Sequence, residues 1–448
     1  MEAKTSSKAA NSPYPLRVSA NGRYLVDQND VPFLVHGDTA WSLISAVTRE
    51  EAKKYLADRE HKGFNSIIVN LIEHIYNGPV NRYDERPFTT PGDFTTPNEK
   101  YFAFADWCLE RASEHGIQVF LAPIYLGYPG GKDNQGWYHE AIALGPARCR
   151  EYGRYLGQRY ASFDNIVWLM GGDRNPGAAL DHVDAIVDGI KEQDERHLIT
   201  AHCHPEHSVA DEYARGGWLD LNVTYTYAIV HRKLLADYNR QPVMPFVLIE
   251  STYEGEHNAS AVQIRRQAYW AILCGACGQF FGNLPLWGFY GPGATMEETQ
   301  FFDNETHVQD TVRAGWQAAL DGTGSQDMVR LKALFGSRAW YNLVPDQEHV
   351  VVTRGLGEFR GLDYLAAART ADCSTVMAYM PTSRSVTVDM SKISGEGVQS
   401  WWWDPRTGES TSAGEFPAEG YQDLTPPGDG DWVLVLDDAS QNLAAPGT

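Results

Sequence analysis

Two acidic residues stand where short apolar runs break off. Asp173 follows Ile166-Val-Trp-Leu-Met170 across Gly171-Gly172, and Glu250 ends the run that begins at Phe246. A carboxyl delivered by a buried strand emerges in a dry setting, where burial and neighbouring charge set its protonation. Two such groups facing one bond can divide the work of cleaving an acetal. One, as the acid, protonates the departing oxygen; the other, as the carboxylate, stabilises or attacks the oxocarbenium-like centre. Structural roles compete with this reading. A strand-end Asp can cap the next helix, and a strand-end Glu can pair with a cation such as Arg174.

The elements that must position these residues recur with a regular rhythm. From about residue 33 to 330, short apolar runs alternate with amphipathic stretches. The runs are Phe33–His36, Ser66–Asn70, Ile117–Ile124, Ile166–Met170, Leu198–His202, Leu219–Tyr225, Phe246–Glu250 and Gly278–Gly282. Continuous apolar strands separated by helices describe a parallel sheet covered on its outer face. Eight such units predict a closed (β/α)8 TIM barrel, with its chemistry at the strands' C-terminal ends. Thr48 and Glu51 form a capping box at one helix start. Leu16–Val26 reads as a hairpin turning at Asn21-Gly22, placed at the barrel bottom. The long connection from Ile72 to Lys100 belongs at the top face. No phosphate-binding glycine loop follows the early strands.

After about Phe335 helical periodicity fades into short strand-like runs and turn clusters, among them Asp404-Pro-Arg-Thr-Gly408. These predict an antiparallel β-sandwich. The expected division is a barrel over residues 12–335, a sandwich over 336–440, and flexible tails at 1–11 and 441–448.

Composition narrows the function. With a net charge of -21 and no basic stripe, the surface repels polyphosphates, so no nucleic-acid partner is expected. No run reaches the ~18 apolar residues of a membrane helix, and the N-terminus lacks an apolar leader, which points to a cytoplasmic location. Aromatic residues make up 12% of the chain, enough to supply flat walls for the apolar faces of sugar rings. Six scattered cysteines fit reduced thiols. Cys274-Gly-Ala-Cys277 has no second pair to complete a metal site. No cofactor is expected, and the oligomeric state stays open.

The sequence also resembles a known family. Asn21-Gly-Arg-Tyr-Leu25, Phe33-Leu-Val-His-Gly-Asp-Thr-Ala-Trp41, Lys62-Gly-Phe-Asn-Ser-Ile67, Gly171-Gly-Asp173 and Glu250 resemble the domain of unknown function 4038, which includes glycoside hydrolase family 140, the apiosidases. The C-terminal part is similar to the domain labelled collagen-binding that usually follows it. The resemblance implies a barrel glycosidase with Asp173 as acid/base and Glu250 as nucleophile, acting on a furanoside or a polysaccharide-derived oligosaccharide; the long Ile72–Lys100 connection suggests a closed pocket and hence exo action. Retaining barrel glycosidases usually carry Asn-Glu after strand four, where this chain has Gly172-Asp173. On this reading His36, Asp38 and Asn70 are candidates for sugar hydroxyls, Asp38 foremost, and Trp41 and Trp287 are stacking walls. Tyr125, His204 and Tyr227 complete the rim. Arg174, His202 or a tyrosine holds Glu250 ionised, and Tyr253 is spaced to hydrogen-bond beside it.

Two other readings remain at this point. His202-x-His204, with His36, Asp38 and Asp173, has the donor types of a metal-dependent hydrolase. Alternatively, the barrel is a non-catalytic scaffold for carbohydrate binding.

Overall fold

The computed structural model describes residues 13–74, 78–128, 136–292 and 314–448. The expected tail at 1–11 lies outside these. Eight parallel strands form the barrel: β4 (Val35–Thr39), β5 (Ser66–Asn70), β6 (Gln118–Ala122), β7 (Ile166–Gly171), β8 (Ile199–His202), β9 (Asn222–Tyr225), β10 (Phe246–Glu250) and β11 (Gly278–Phe281). They pair in the order β8-β7-β6-β5-β4-β11-β10-β9. The seam between β8 and β9 is closed by Thr200 Oγ1 donating to the Leu221 carbonyl at 2.6 Å and by the Asp220 amide donating to the Ile199 carbonyl at 2.9 Å. Every residue of these strands is buried, because helices cover one face and packed side chains fill the other. The filling explains Gly37: a Cβ there would lie 2.1 Å from the Phe280 ring, which packs edge-on against Phe120 inside the barrel.

Before the barrel, β1 (Arg17–Val18), β2 (Leu25–Val26) and β3 (Pro32–Phe33) form a small antiparallel sheet, with Gly22 at φ 68° in the turn. It sits at the strands' N-terminal end, where the Tyr14 hydroxyl donates to the Gly116 carbonyl at 2.6 Å. The helix Arg49–His61 opens with the Thr48–Glu51 capping box, both reciprocal bonds present. In the connection after β5, Phe88 and Phe94 pack on Trp137 and Tyr152, so this loop is pinned to the connection after β6.

The C-terminal domain pairs a six-stranded antiparallel sheet with a three-stranded one. Its apolar core lies between them, with Trp402 and Leu434 inside. A second core joins the outer face of the larger sheet to the barrel. Met377, Tyr379, Trp403 and Val433 meet Tyr269 and Phe335 there, and Trp403 Nε1 donates to the Tyr269 hydroxyl at 3.2 Å.

One expectation needs correction here. Residues 441–448 are docked, not frayed. Arg338 donates to the Ala444 carbonyl at 2.9 Å, Ser410 to the Pro446 carbonyl at 2.9 Å, and the Gly447 amide bonds Ser337 Oγ at 3.0 Å. These bonds give the terminal backbone the partners that a free tail lacks. Cys274 and Cys277 are free and buried, and burial pushes both thiols up.

Candidate active site

At the mouth of the barrel the chain must leave β7 sharply. Gly171 has φ 86°, and a Cβ on it would stand 2.3 Å from the His202 carbonyl oxygen; a Cβ on Gly172 would meet the Tyr125 ring at 2.9 Å. Two glycines in succession let the backbone pass this crowding and present Asp173 at the rim. Glu250 needs no such turn, since it is the last residue of β10. Between them stands His202, the last residue of β8. Its Nε2 lies 3.0 Å from Glu250 Oε2 and its Nδ1 3.3 Å from Asp173 Oδ1. One oxygen of each carboxyl and one nitrogen of the ring all fall within 4.8 Å of one another.

The cluster is dry. The side chains of His202, Glu250 and Asp173 are 1%, 7% and 19% exposed. Burial is the largest cause of the shifts in both acids. It lifts Asp173 to about 7, aided by the charge of Glu250, and Glu250 to about 8. The hydroxyls of Tyr225, Tyr253 and, shared with Glu256, Tyr227 surround Glu250 and oppose its rise, whereas Asp173 has only Tyr125; two acids this close titrate as a pair. Tyr253 is itself oriented, because Trp41 Nε1, which can only donate, bonds its oxygen at 3.1 Å and leaves its proton free to point away. Burial also lowers His202, which keeps the ring neutral.

Trp41, Tyr125, His202, Tyr227 and Tyr253 thus join the two carboxyls, Trp41 lying 5.9 Å ring to ring from Tyr125 and 5.7 Å from His202. Asn70 is tied to the Trp41 carbonyl through its amide, at 2.8 Å, and its Nδ2 faces Glu73 at 3.4 Å. Trp287 is nearly buried, near Tyr290, with its carbonyl accepting from the Ser42 amide at 3.3 Å.

Four of the residues singled out from sequence are placed elsewhere. Because side chains alternate along a strand and Gly37 faces the interior, its neighbours His36 and Asp38 face the helices. His36 stacks on Phe64 at 4.8 Å, and burial drives its pKa down to about 3. Asp38, fully buried, takes a hydrogen bond from Tyr55 at 2.8 Å and an ion pair with Arg59 at 3.2 Å. Its acceptors are committed to the fold, and it is no sugar ligand. Arg174 lays its guanidinium over Tyr138, 3.6 Å from the ring centre, and leaves Glu250 to the tyrosines. His204 bonds the Pro205 carbonyl at 2.9 Å and packs near His207, so the His-x-His pair does not converge on one point.

Two residues were missed. Tyr225 shared the strand-end position that singled out Tyr227. Glu256 accepts the Tyr253 amide at 2.9 Å and the Tyr227 hydroxyl at 3.4 Å, anchoring both phenols. It sits in a loop with left-handed His257 and Asn258, where no periodicity marks it.

Known proteins resemble this chain in two ways. The family described as "Apiosidase-like, catalytic domain" matches residues 19–342, and "Putative collagen-binding domain of a collagenase" matches residues 344–437. No curated protein matches the chain. Among solved structures, a glycoside hydrolase family 5 protein from Bacteroides vulgatus superposes with a TM-score of 0.83 at 24% identity, covering 96% of this chain and 95% of its own. A structure described as "Glycoside hydrolase" gives 0.83 at 25% identity, covering 97% and 99%. A family 5 mannosidase from Rhizomucor miehei gives 0.50 at 12% identity, covering 71% and 96%.

Proposed function

Because the chain belongs to the apiosidase-like family, we propose that this glycosidase works by double displacement, with Glu250 as nucleophile and Asp173 as acid/base. The observation that carries the reading is the close approach of the two carboxyls across the mouth, within 4.8 Å oxygen to oxygen. Retaining enzymes keep this pair at about 5–5.5 Å and inverting ones at about 6.5–9.5 Å, the larger gap leaving room for a water. Asp173 gives its proton to the departing oxygen while Glu250 attacks the anomeric carbon. Asp173 then takes a proton from the water that frees the sugar from Glu250. The name of the matched family favours a furanoside substrate. Exo action fits the connection after β5, which folds onto the connection after β6 at this same face.

The test is a screen of aryl and natural glycosides, aryl apiofuranosides included, with wild type beside Asp173→Asn and Glu250→Gln. Each substitution should lower kcat on a natural substrate by about 10³ or more. An activated leaving group should restore much of the Asp173→Asn loss and none of the Glu250→Gln loss. Near-normal turnover by either variant on the natural substrate defeats the assignment. A second reading has its own support, since Asp173, His202 and Glu250 also have the donor types and spacing of a cation site. Under that reading prolonged chelation abolishes activity; under the first it leaves activity intact.

A further inference from the structure

His202 is the one ring wedged between both reacting carboxyls, and a neutral imidazole has one donor and one acceptor to give them. We infer that His202 is a tautomer-selecting positioning residue: its Nε2–H is committed to Glu250, its bare Nδ1 faces Asp173, and the imidazole thereby decides which carboxyl begins the reaction as the acid. This rests on the two-carboxylate reading of the site.

Two protons shared among the three groups can be placed in three ways that set no proton against another. In the first, Nε2–H donates to ionised Glu250 and a bare Nδ1 faces protonated Asp173. In the second, Nδ1–H donates to ionised Asp173 and Glu250 carries the proton. In the third, an imidazolium stands between two carboxylates. The second requires a neutral Glu250 beside the Tyr225 and Tyr253 hydroxyls, both of which favour its charge. The third requires three charges around a ring that is 1% exposed and lies against the Tyr225 and Trp41 rings at 4.7 and 5.7 Å. Asp173 and the backbone carbonyls of Gly172 and Cys203 favour a charged ring, and burial opposes it more strongly. Charge-assisted N–H···O contacts close to about 2.7–2.9 Å. The Nδ1 contact with Asp173 is 3.3 Å, and neither atom has an aligned hydrogen-bond partner. Of the two contacts, the 3.0 Å approach of Nε2 to Glu250 is the one with hydrogen-bond geometry, and the first placement puts the ring's proton there. It leaves the Asp173 proton weakly held, and so available to a departing oxygen.

Ring-¹⁵N histidine labelling of the full chain reads the tautomer directly, with the His202→Gln spectrum identifying the resonances. The expected result is a neutral ring protonated at Nε2 from about pH 8 down to about pH 6. A ring protonated at Nδ1, or at both nitrogens, over that range overturns the inference. This arm needs no substrate, so it stands or falls apart from the glycosidase reading, which a wild type silent on every glycoside would defeat. On an active aryl glycoside, His202→Ala removes the acceptor facing Asp173. The alkaline limb of kcat/KM should then move toward acid by about one pH unit. A merely structural ring would lower activity equally at all pH values, and an unmoved limb also overturns the proposal.

Discussion

Asp173 and Glu250 hold protons to a higher pH in the folded chain than in the unfolded one, and this has a consequence for stability. A carboxyl whose folded pKa is raised favours folding at acid pH. The pair shares that contribution, which is withdrawn as pH climbs through about 7 to 8. Asp173→Asn removes the charge that burial penalises. The variant should therefore melt above wild type at pH 8.5, by about 1 °C or more, and together with it at pH 4. A melting advantage at pH 4, or none at pH 8.5, contradicts the assigned direction. Asp38 predicts the opposite behaviour. Asp38→Ala takes from fully buried Arg59 one of its two carboxylate partners, leaving Asp58, and takes from Tyr55 its acceptor, a loss of about 1–3 kcal/mol read as a lower urea midpoint. A full-stability Asp38→Ala with altered KM would return Asp38 to the site. The two acids of the mouth were legible because each directly follows an apolar run. Asp38 misled because its strand is buried on both faces, and hydrophobicity alone does not say which parity looks inward. The interior position of Gly37 settles that, and only the packing of Phe280 reveals it.

At the scale of the elements, the strand ends do the positioning, and β7 does it by the most constrained route. Gly171→Ala places a Cβ at φ 86° against the His202 carbonyl, where an L side chain is strained by about 1–3 kcal/mol. The backbone relieves this by moving the segment that carries Asp173. A displacement on the order of 1 Å costs about 10²-fold in turnover, so kcat should fall further than the melting temperature suggests. The comparison with Asp173→Asn is informative: an activated leaving group should rescue both variants. Rescue of Asp173→Asn but not of Gly171→Ala would mean that the glycine supports something other than the acid. The eight strands and the Thr48 cap were readable because burial on both faces leaves a continuous apolar run and because capping chemistry is local. Tyr225 and Glu256 were harder to read, since Tyr225 is distinguished only by reaching Glu250 from another strand end and Glu256 only by bonding Tyr253 and Tyr227 from a loop.

Over the whole molecule the change of texture near residue 335 separates two architectures that share a core. The helix Ala261–Leu273 on the barrel's outside faces the larger sheet. There Arg265 makes a two-pronged contact with Asp431 at 2.7 and 2.8 Å and reaches Asp327 at 2.8 Å, while Tyr379 adds a hydrogen bond to Asp431 at 3.0 Å. The tryptophan run is divided by strand alternation, Trp402 turning to the sandwich core and Trp403 to the barrel. None of this is local in sequence; Arg265 and Asp431 find each other across 166 positions. Cutting the chain after residue 342 would expose the barrel side of that core and leave Arg265 without Asp431, so the isolated barrel should aggregate. The intact chain should unfold in a single calorimetric transition. Asp431→Ala leaves buried Arg265 with Asp327 as its remaining carboxylate, a loss of about 1–3 kcal/mol, and should lower that transition without splitting it. Separate transitions for barrel and sandwich in the wild type, or a soluble and active barrel after the cut, would show that the shared core does not couple the domains.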